Sequence, residues 1–130
     1  MVFGVFDRLH PGHLDFFRQA AEHGDELIAV VARDRAVMEL KGKQPHHSET
    51  ERLTMVEEVP EVARAVLGDE ARGDYGVIAA YQPNVICVGY DQHELAKDLQ
   101  AWFIRNRIER LEIYALRPYL SDRFHTSLLS

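Results

Sequence analysis

Cysteine is almost absent from the sequence, which excludes disulfides as a means of stabilising this small protein. The only cysteine, Cys87, has no partner within the chain and lies in the apolar run Asn84-Val-Ile-Cys-Val88. A cysteine in such a run is typically a small buried hydrophobic residue. We therefore predict that Cys87 packs in the core and is not a reactive thiol.

The sequence also lacks a long apolar run and an excess of basic charge. No apolar run approaches the roughly 18 residues that suggest a membrane-spanning helix, and no charged and apolar leader opens the chain. The formal net charge of -6 argues against a general nucleic-acid binder. We therefore expect a cytoplasmic protein that binds neither membrane nor nucleic acid. A local cluster of cations could still hold an anionic small molecule.

The chain is large enough for one core and shows no internal division. Its 130 residues are 46% hydrophobic, and no linker, repeat or change of composition separates them. We therefore predict a single domain over residues 1–130.

Strand-like and helix-like segments alternate along the chain. Short apolar runs predict strands at 1–6, 26–32, 63–67, 85–88 and 111–116. Amphipathic or capped segments predict helices at 11–24, from 48 onward, and at 75–81, 93–106 and 121–129, whereas 34–48 begins helical at most and ends as a loop. This alternation predicts the α/β class, as a Rossmann-like doubly wound domain with a mainly parallel five-stranded sheet. Ligands of such sheets bind beyond the carboxyl ends of the strands.

The first of these loops carries two histidines at a helix start. In Gly4-Val-Phe-Asp-Arg-Leu-His-Pro-Gly-His13, strand 1 gives way to a helix that begins near Pro11 or Gly12. Free backbone N–H groups and the positive end of the helix dipole favour a phosphate there. His10 and His13, three residues apart, can both donate to phosphate oxygens as charge develops. Gly4 and Gly12 leave room for a triphosphate to approach the backbone.

A zinc site is the main chemical alternative for the same loop. Histidine and aspartate are both zinc ligands, but no further ligand stands at a useful spacing. The glycine-rich surroundings favour an anion. We therefore predict a nucleotide-phosphate site and no protein-bound metal.

The decapeptide resembles the G-x-F-D-x-x-H-x-G-H motif of the cytidylyltransferase-like nucleotidyltransferase superfamily. The resemblance continues through Ala32-Arg-Asp34, Lys41-Gly-Lys43, Glu51-Arg52 and Gly89-Tyr-Asp-Gln92. Within that superfamily, Gly-Tyr-Asp-Gln is most similar to the archaeal-type FAD synthases, which transfer AMP from ATP to FMN. The glycerol-3-phosphate cytidylyltransferases, which use CTP, are the other branch to consider.

The resemblance implies a role for each of these segments. Lys41 joins His10 and His13 as a catalytic residue, and Lys43, Arg52 and Arg117 bind the phosphate of the second substrate. The residues implied to bind the nucleotide are Gly4, Val5, Phe6, His10, Pro11, Gly12, His13, Gly89, Asp91, Gln92, Thr126 and Ser127. A divalent cation, Mg2+ by preference, accompanies the nucleoside triphosphate (NTP), and family members are often homodimers.

The C-terminal segment departs from the family pattern. The spacer between Arg117 and the hydroxyls of Thr126 and Ser127 is longer than in the cytidylyltransferases. A flavin acceptor would also need a flat apolar slot, for which Tyr90, Tyr119 and Phe124 are candidates.

The sequence therefore predicts a nucleotidylyltransferase that transfers a nucleoside monophosphate to a phosphomonoester and releases pyrophosphate. AMP transfer from ATP to FMN is favoured. CMP transfer from CTP to glycerol 3-phosphate or a similar small alcohol phosphate is the alternative. A nucleotide-binding module without transferase activity is the alternative from another class.

Overall fold

The computed structural model describes residues 1–71 and 73–119 and shows alternating strands and helices. The elements, in chain order, are β1 (Val2–Gly4), α1 (Pro11–Ala21), β2 (Ile28–Val31), α2 (Asp34–Lys41), α3 (Glu49–Glu57), β3 (Arg64–Leu67), α4 (Gly76–Tyr81), β4 (Val85–Val88), α5 (His93–Arg105) and β5 (Glu112–Ala115). The predicted α/β class is confirmed. The helix predicted at 121–129 lies outside the described residues.

All strand pairs are parallel, but the regular pairing is divided between two sheets. One sheet has the order β1-β2-β3 and the other pairs β4 with β5. The two meet at the first residue, where the Cys87 N–H donates to Met1 O at 3.0 Å and the Met1 ammonium donates to Val85 O at 2.8 Å. The spatial order is therefore β3-β2-β1-β4-β5. The strand order reverses between β1 and β4, which is where such folds bind ligands.

Successive side chains along the strands pack alternately into two apolar clusters, one on each face of the sheet. Val2, Ala29 and Val31 pack into the first cluster with Phe17 of α1, whereas Val30 joins the second. This alternation follows from the two-residue repeat of a strand. The second cluster also includes Ile86, Val88, Leu99, Trp102 and Phe103 of β4 and α5. Helices therefore cover both faces, as a doubly wound fold requires.

Local signals in the sequence account for several element boundaries. Ser48 caps α3 by accepting from the Glu51 N–H, while the Glu51 carboxylate accepts from the Ser48 N–H, which completes the predicted capping box. Gly42 ends α2 in a left-handed conformation, with φ of 70°. Cys87 is buried, as predicted, and that burial raises the pKa of its thiol. Within residues 1–71 and 73–119, no helix is both long and apolar enough to cross a membrane.

Candidate active site

A cleft of about 570 Å³ lies at the carboxyl ends of β1 and β4. It brings together most of the predicted site residues, from four separate parts of the chain: Gly4, Val5, Phe6, His10, Gly12, His13, Lys41, Gly89, Asp91, Gln92 and Arg117. Pro11 is the first residue of α1. Thr126 and Ser127 lie outside the described residues. Three predicted site residues in the described part of the chain do not line this cleft: Pro11, Lys43 and Arg52.

The two histidines form a capping box at the start of α1. His10 is the N-cap, and its Nδ1 accepts from the Gly12 N–H at 3.1 Å. His13 Nδ1 accepts from the His10 N–H at 3.2 Å. The two imidazole rings have their centroids 3.9 Å apart and their planes inclined by 30°. Because each Nδ1 is an acceptor, the proton of each neutral ring lies on Nε2, which leaves two N–H donors for a ligand.

The helix start differs from the prediction in its backbone donors. The Gly12 N–H is engaged by His10 Nδ1, and the His13 N–H donates to His10 O at 2.9 Å. The expectation of free N–H groups here was therefore wrong. The His10 side chain accepts from the Gly12 N–H, which was expected to donate to a phosphate. The imidazole Nε2–H groups are then the donors that can contact the ligand directly.

Burial keeps His13 neutral at physiological pH. Desolvation is the largest cause that lowers the pKa of His13, to about 4, and electrostatic interactions with His10 and Lys41 act in the same direction. A neutral imidazole with its proton on Nε2 can still donate a hydrogen bond to a ligand. A bound polyphosphate would act in the opposite direction and raise this pKa, because it brings negative charge to the ring.

The glycines of the motif make room for neighbouring side chains. A Cβ at residue 4 would lie 2.6 Å from the ring of Phe6, and a Cβ at residue 12 would lie 2.8 Å from Cε1 of His10. Phe6 is buried with a positive φ of 54° and packs 4.9 Å from Phe17. Such a conformation costs free energy in a residue with a side chain, and it tends to occur at functional loops. Here Gly4 and Gly12 permit the positions of Phe6 and His10.

Asp7 joins the histidine motif to the loop that follows Lys41. Its two carboxylate oxygens accept from the N–H groups of His46 and His47 at 2.7 and 3.0 Å. Desolvation raises the pKa of Asp7, but these two hydrogen bonds and the nearby histidines outweigh it, so the pKa is lowered overall. Asp7 therefore braces the loop in its ionised form.

Arg52 fastens the same region from inside the protein. Its side chain is fully buried and donates to Val5 O at 2.8 Å, Ala32 O at 2.7 Å and His47 O at 3.0 Å. A further bond of 2.7 Å reaches the Asp34 carboxylate. The guanidinium thus ties together the ends of β1 and β2 and the start of α3. In this structure it does not reach the cleft in which it was predicted to bind a phosphate.

The loop after β4 is closed by its own glutamine. Gln92 Oε1 accepts from the Gly89 N–H at 2.7 Å, and Gln92 Nε2 donates to Phe3 O at 2.9 Å. A Cβ at residue 89 would lie 3.0 Å from Asp91 Oδ1, so glycine permits this turn. Gln92 was predicted to bind the nucleotide. The structure gives its amide a bracing role, with Asp91 and Tyr90 exposed at the cleft.

Gln19 holds Arg117 at the cleft, a contact that the sequence analysis missed. The Gln19 side chain is only 8% exposed and forms a hydrogen bond with both backbone groups of Arg117, accepting from its N–H at 2.9 Å and donating to its carbonyl at 3.0 Å. The same amide donates to Asp15 at 2.8 Å. A glutamine among apolar helix positions was the available signal, because a buried amide needs partners.

The described residues, 1–71 and 73–119, contain no group of three or more histidine, cysteine, aspartate or glutamate side chains placed to hold a metal. Within the cleft, both oxygens of Asp7 accept backbone hydrogen bonds, and those of Asp15 are engaged by Arg18 and Gln19. These carboxylates therefore have little capacity left to ligate a cation directly.

Comparison with known proteins gives one consistent family. Residues 1–123 match the sequence profile described as Cytidylyltransferase-like. The chain is 42% identical over 119 residues to the FAD synthase of Aciduliprofundum boonei, covering 92% of this chain and 78% of the relative. It is 39% identical over 124 residues to the FAD synthase of Methanocella arvoryzae, covering 92% of this chain and 86% of that one.

A solved structure agrees with this relationship. The lipopolysaccharide core biosynthesis protein of Thermoplasma volcanium superposes with a TM-score of 0.81 at 35% identity, covering 92% of this chain and 95% of that one. The sequence profile, the similar proteins and the fold all agree with the family that the motif at His10-Pro-Gly-His13 resembles. The chain therefore belongs to the cytidylyltransferase-like family and is a nucleotidyltransferase.

Proposed function

We propose that the protein transfers AMP from ATP to the phosphate of FMN, forming FAD and pyrophosphate. The observation that carries this proposal is the convergence of the His10 and His13 Nε2–H donors with the Lys41 ammonium on one cleft. The names of the similar proteins from A. boonei and M. arvoryzae support FMN as the acceptor.

The reaction is a displacement at the α-phosphorus of ATP. A phosphate oxygen of FMN forms the new P–O bond, and the bond from the α-phosphorus to the α,β-bridging oxygen breaks. Pyrophosphate leaves with the bonding electron pair. The attacking oxygen is already anionic at neutral pH, so the enzyme needs no strong general base and acts through positioning and charge stabilisation.

The side chains of the cleft suit this division of labour. His10 and His13 donate hydrogen bonds to phosphate oxygens as negative charge moves toward pyrophosphate. Lys41 supplies a mobile positive charge on a long stem at the end of α2, and Arg117, which lines the same cleft, supplies a planar, bidentate donor. For Lys43, which is exposed outside the cleft lining, we propose only a peripheral electrostatic role.

A divalent cation, Mg2+ by preference, accompanies the NTP in this proposal. The carboxylates of Asp7 and Asp15 are engaged by protein donors, which fits a cation bound mainly by phosphate oxygens and water. Asp91, exposed at the cleft, is the carboxylate available to contact its hydration shell. The cation would neutralise charge on the triphosphate.

A crossed substrate assay tests the proposal. Pyrophosphate release is measured for the wild-type protein with ATP or CTP, each paired with FMN or glycerol 3-phosphate. We expect ATP with FMN to give the highest kcat/KM. Preference for CTP with glycerol 3-phosphate would replace the proposal by the cytidylyltransferase alternative, and nucleotide binding without pyrophosphate release from any pair would favour a non-catalytic module.

Chain organisation is part of the proposal. We propose that residues 1–130 form one nucleotidyltransferase domain and that two copies associate as a homodimer. Light scattering coupled to gel filtration measures the second point directly: a mass of twice 14.9 kDa supports it and a mass of 14.9 kDa contradicts it.

A further inference from the structure

A second cavity, an apolar groove of about 290 Å³, lies beside the cleft at the carboxyl ends of β1, β2 and β3. Val30 and Val77 lie on its buried side, and Leu40 and Leu95 contribute further apolar surface. Tyr75 provides an aromatic wall, with its ring edge-on to those of Phe3 and Trp102 at 5.8 and 6.0 Å. Neither the motifs nor the family resemblance indicated this groove.

The groove and the cleft share a wall. Phe3, Gly4, Val5 and Gln92 line both cavities. Two consecutive residues of α2 line different cavities: Leu40 lines the groove and Lys41 lines the cleft. A single ligand could therefore place a charged end beside Lys41 and an apolar body against Leu40.

The two cavities differ in their cationic side chains. The cleft carries His10, His13, Lys41 and Arg117, whereas the groove lining, taken over residues 1–71 and 73–119, includes no lysine, arginine or histidine. The charged groups of these groove residues are the carboxylates of Asp69, Glu94 and Asp98. These would repel a phosphate and can accept a hydrogen bond from a neutral N–H donor.

We propose that this groove binds the isoalloxazine ring of the acceptor FMN. The ring is flat and largely apolar and carries an imide N–H, which suits an aromatic wall with carboxylates around it. The ribityl phosphate then extends across the shared wall toward Lys41 and the α-phosphorus. A glycerol phosphate is too short to fill the groove. This assignment rests on the proposed transfer of AMP to FMN.

Two substitutions test the groove without altering the cleft. Leu40→Asp places a carboxylate in the apolar surface, at a side chain that is already 57% exposed and so carries little of the core. Ala36→Leu fills space on the same helix. The matched controls are Met38→Asp on α2, 40% exposed, and Ala79→Leu on α4; both residues lie outside the groove lining.

Two readouts are recorded for each protein: quenching of FMN fluorescence on binding, and the KM values for FMN and ATP in pyrophosphate release. We expect Leu40→Asp and Ala36→Leu to weaken FMN binding at least about tenfold, because they bury a charge or remove ring space. The KM for ATP should change less than about twofold, and the controls should match the wild type.

The outcomes separate the groove from the proposed function. Normal FMN affinity in both groove variants, with FAD still formed, overturns the groove assignment and leaves the function standing. Groove-dependent FMN binding without FAD formation supports the groove and overturns the function. Absence of FMN binding by the wild-type protein, with or without ATP, overturns both.

Discussion

Arg52 donates from its fully buried guanidinium to the Asp34 carboxylate at 2.7 Å, and this pair fixes the base of the active site. The same guanidinium holds the carbonyls of Val5 and Ala32, at the ends of β1 and β2. An arginine that resembled a substrate ligand in the sequence is therefore an internal fastener. Arg52 contacts the active-site loops from the protein interior, and Asp7 accepts hydrogen bonds from the loop at His46 and His47.

Replacing Arg52 should destabilise the whole protein. Arg52→Met leaves Asp34 and three backbone carbonyls without their donor, which we expect to lower the free energy of unfolding by about 3 kcal/mol. Urea denaturation measures this change. Arg35→Met is the control, since Arg35 is largely exposed and forms a surface ion pair with Glu39, and its effect should stay within about 0.5 kcal/mol. A stable Arg52→Met variant that loses only acceptor affinity would instead restore the phosphate-binding role.

Replacing one carboxylate oxygen of Asp7 should make the loop that follows Lys41 less rigid. Asp7→Asn keeps the size of the side chain but leaves one of the two N–H donors, of His46 or His47, without a carboxylate partner. We expect amide exchange at these two residues to accelerate about tenfold and the KM for ATP to rise severalfold. Hydrogen exchange followed by mass spectrometry, with exposed Asp74→Asn as control, checks it. Unchanged protection at both amides would contradict the bracing role.

The two lysines that flank Gly42 should differ in importance. Lys41 lines the cleft and Lys43 does not, although both are exposed. Lys41→Met should lower kcat about a hundredfold through the loss of a charge-stabilising donor, whereas Lys43→Met should change it by less than about threefold. Steady-state rates of pyrophosphate release compare the two directly. Equal losses in both variants would mean that the loop acts only through its net charge.

His13 should make stability depend on pH in the mildly acidic range. Its pKa is about 4 in the folded protein and 6.5 when unperturbed, so below pH 6.5 the unfolded chain binds the proton first. The free energy of unfolding contributed by this group therefore falls as the pH drops from about 6.5 toward 4.

His13→Gln isolates that effect, because glutamine can keep the capping box but does not titrate. Urea unfolding at pH 7 and pH 5 should show a smaller loss of stability in His13→Gln than in the wild type, while all other groups titrate alike. An identical loss in the two proteins would show that His13 is not held neutral by the fold.

The sequence predicted the parts of the molecule that depend on local patterns. A short continuous apolar run placed β4 correctly and a capping signal placed α3, while the histidine spacing placed His10 and His13 on one cleft. The features that the sequence did not predict depend on contacts between residues far apart in the chain. Burial of Arg52 and the hold of Gln19 on Arg117 involve residues up to 98 positions apart.

The groove was missed for a related reason. Its lining comes from two strands, three helices and their loops, and the residues concerned belong to no recognisable motif. The aromatic residues singled out in the sequence, Tyr90 and Tyr119, lie instead at the triphosphate cleft, and Phe124 lies outside the described residues.

The rate of FAD formation from ATP and FMN in histidine variants measures how much His10 and His13 contribute to catalysis. We predict that His10→Ala and His13→Ala each lower kcat at least about a hundredfold, because each removes an Nε2–H donor to the developing charge. His23→Ala, which removes an exposed histidine stacked on Tyr114 and outside the cleft, should retain the wild-type rate. Near-normal turnover in both His10→Ala and His13→Ala would contradict the account.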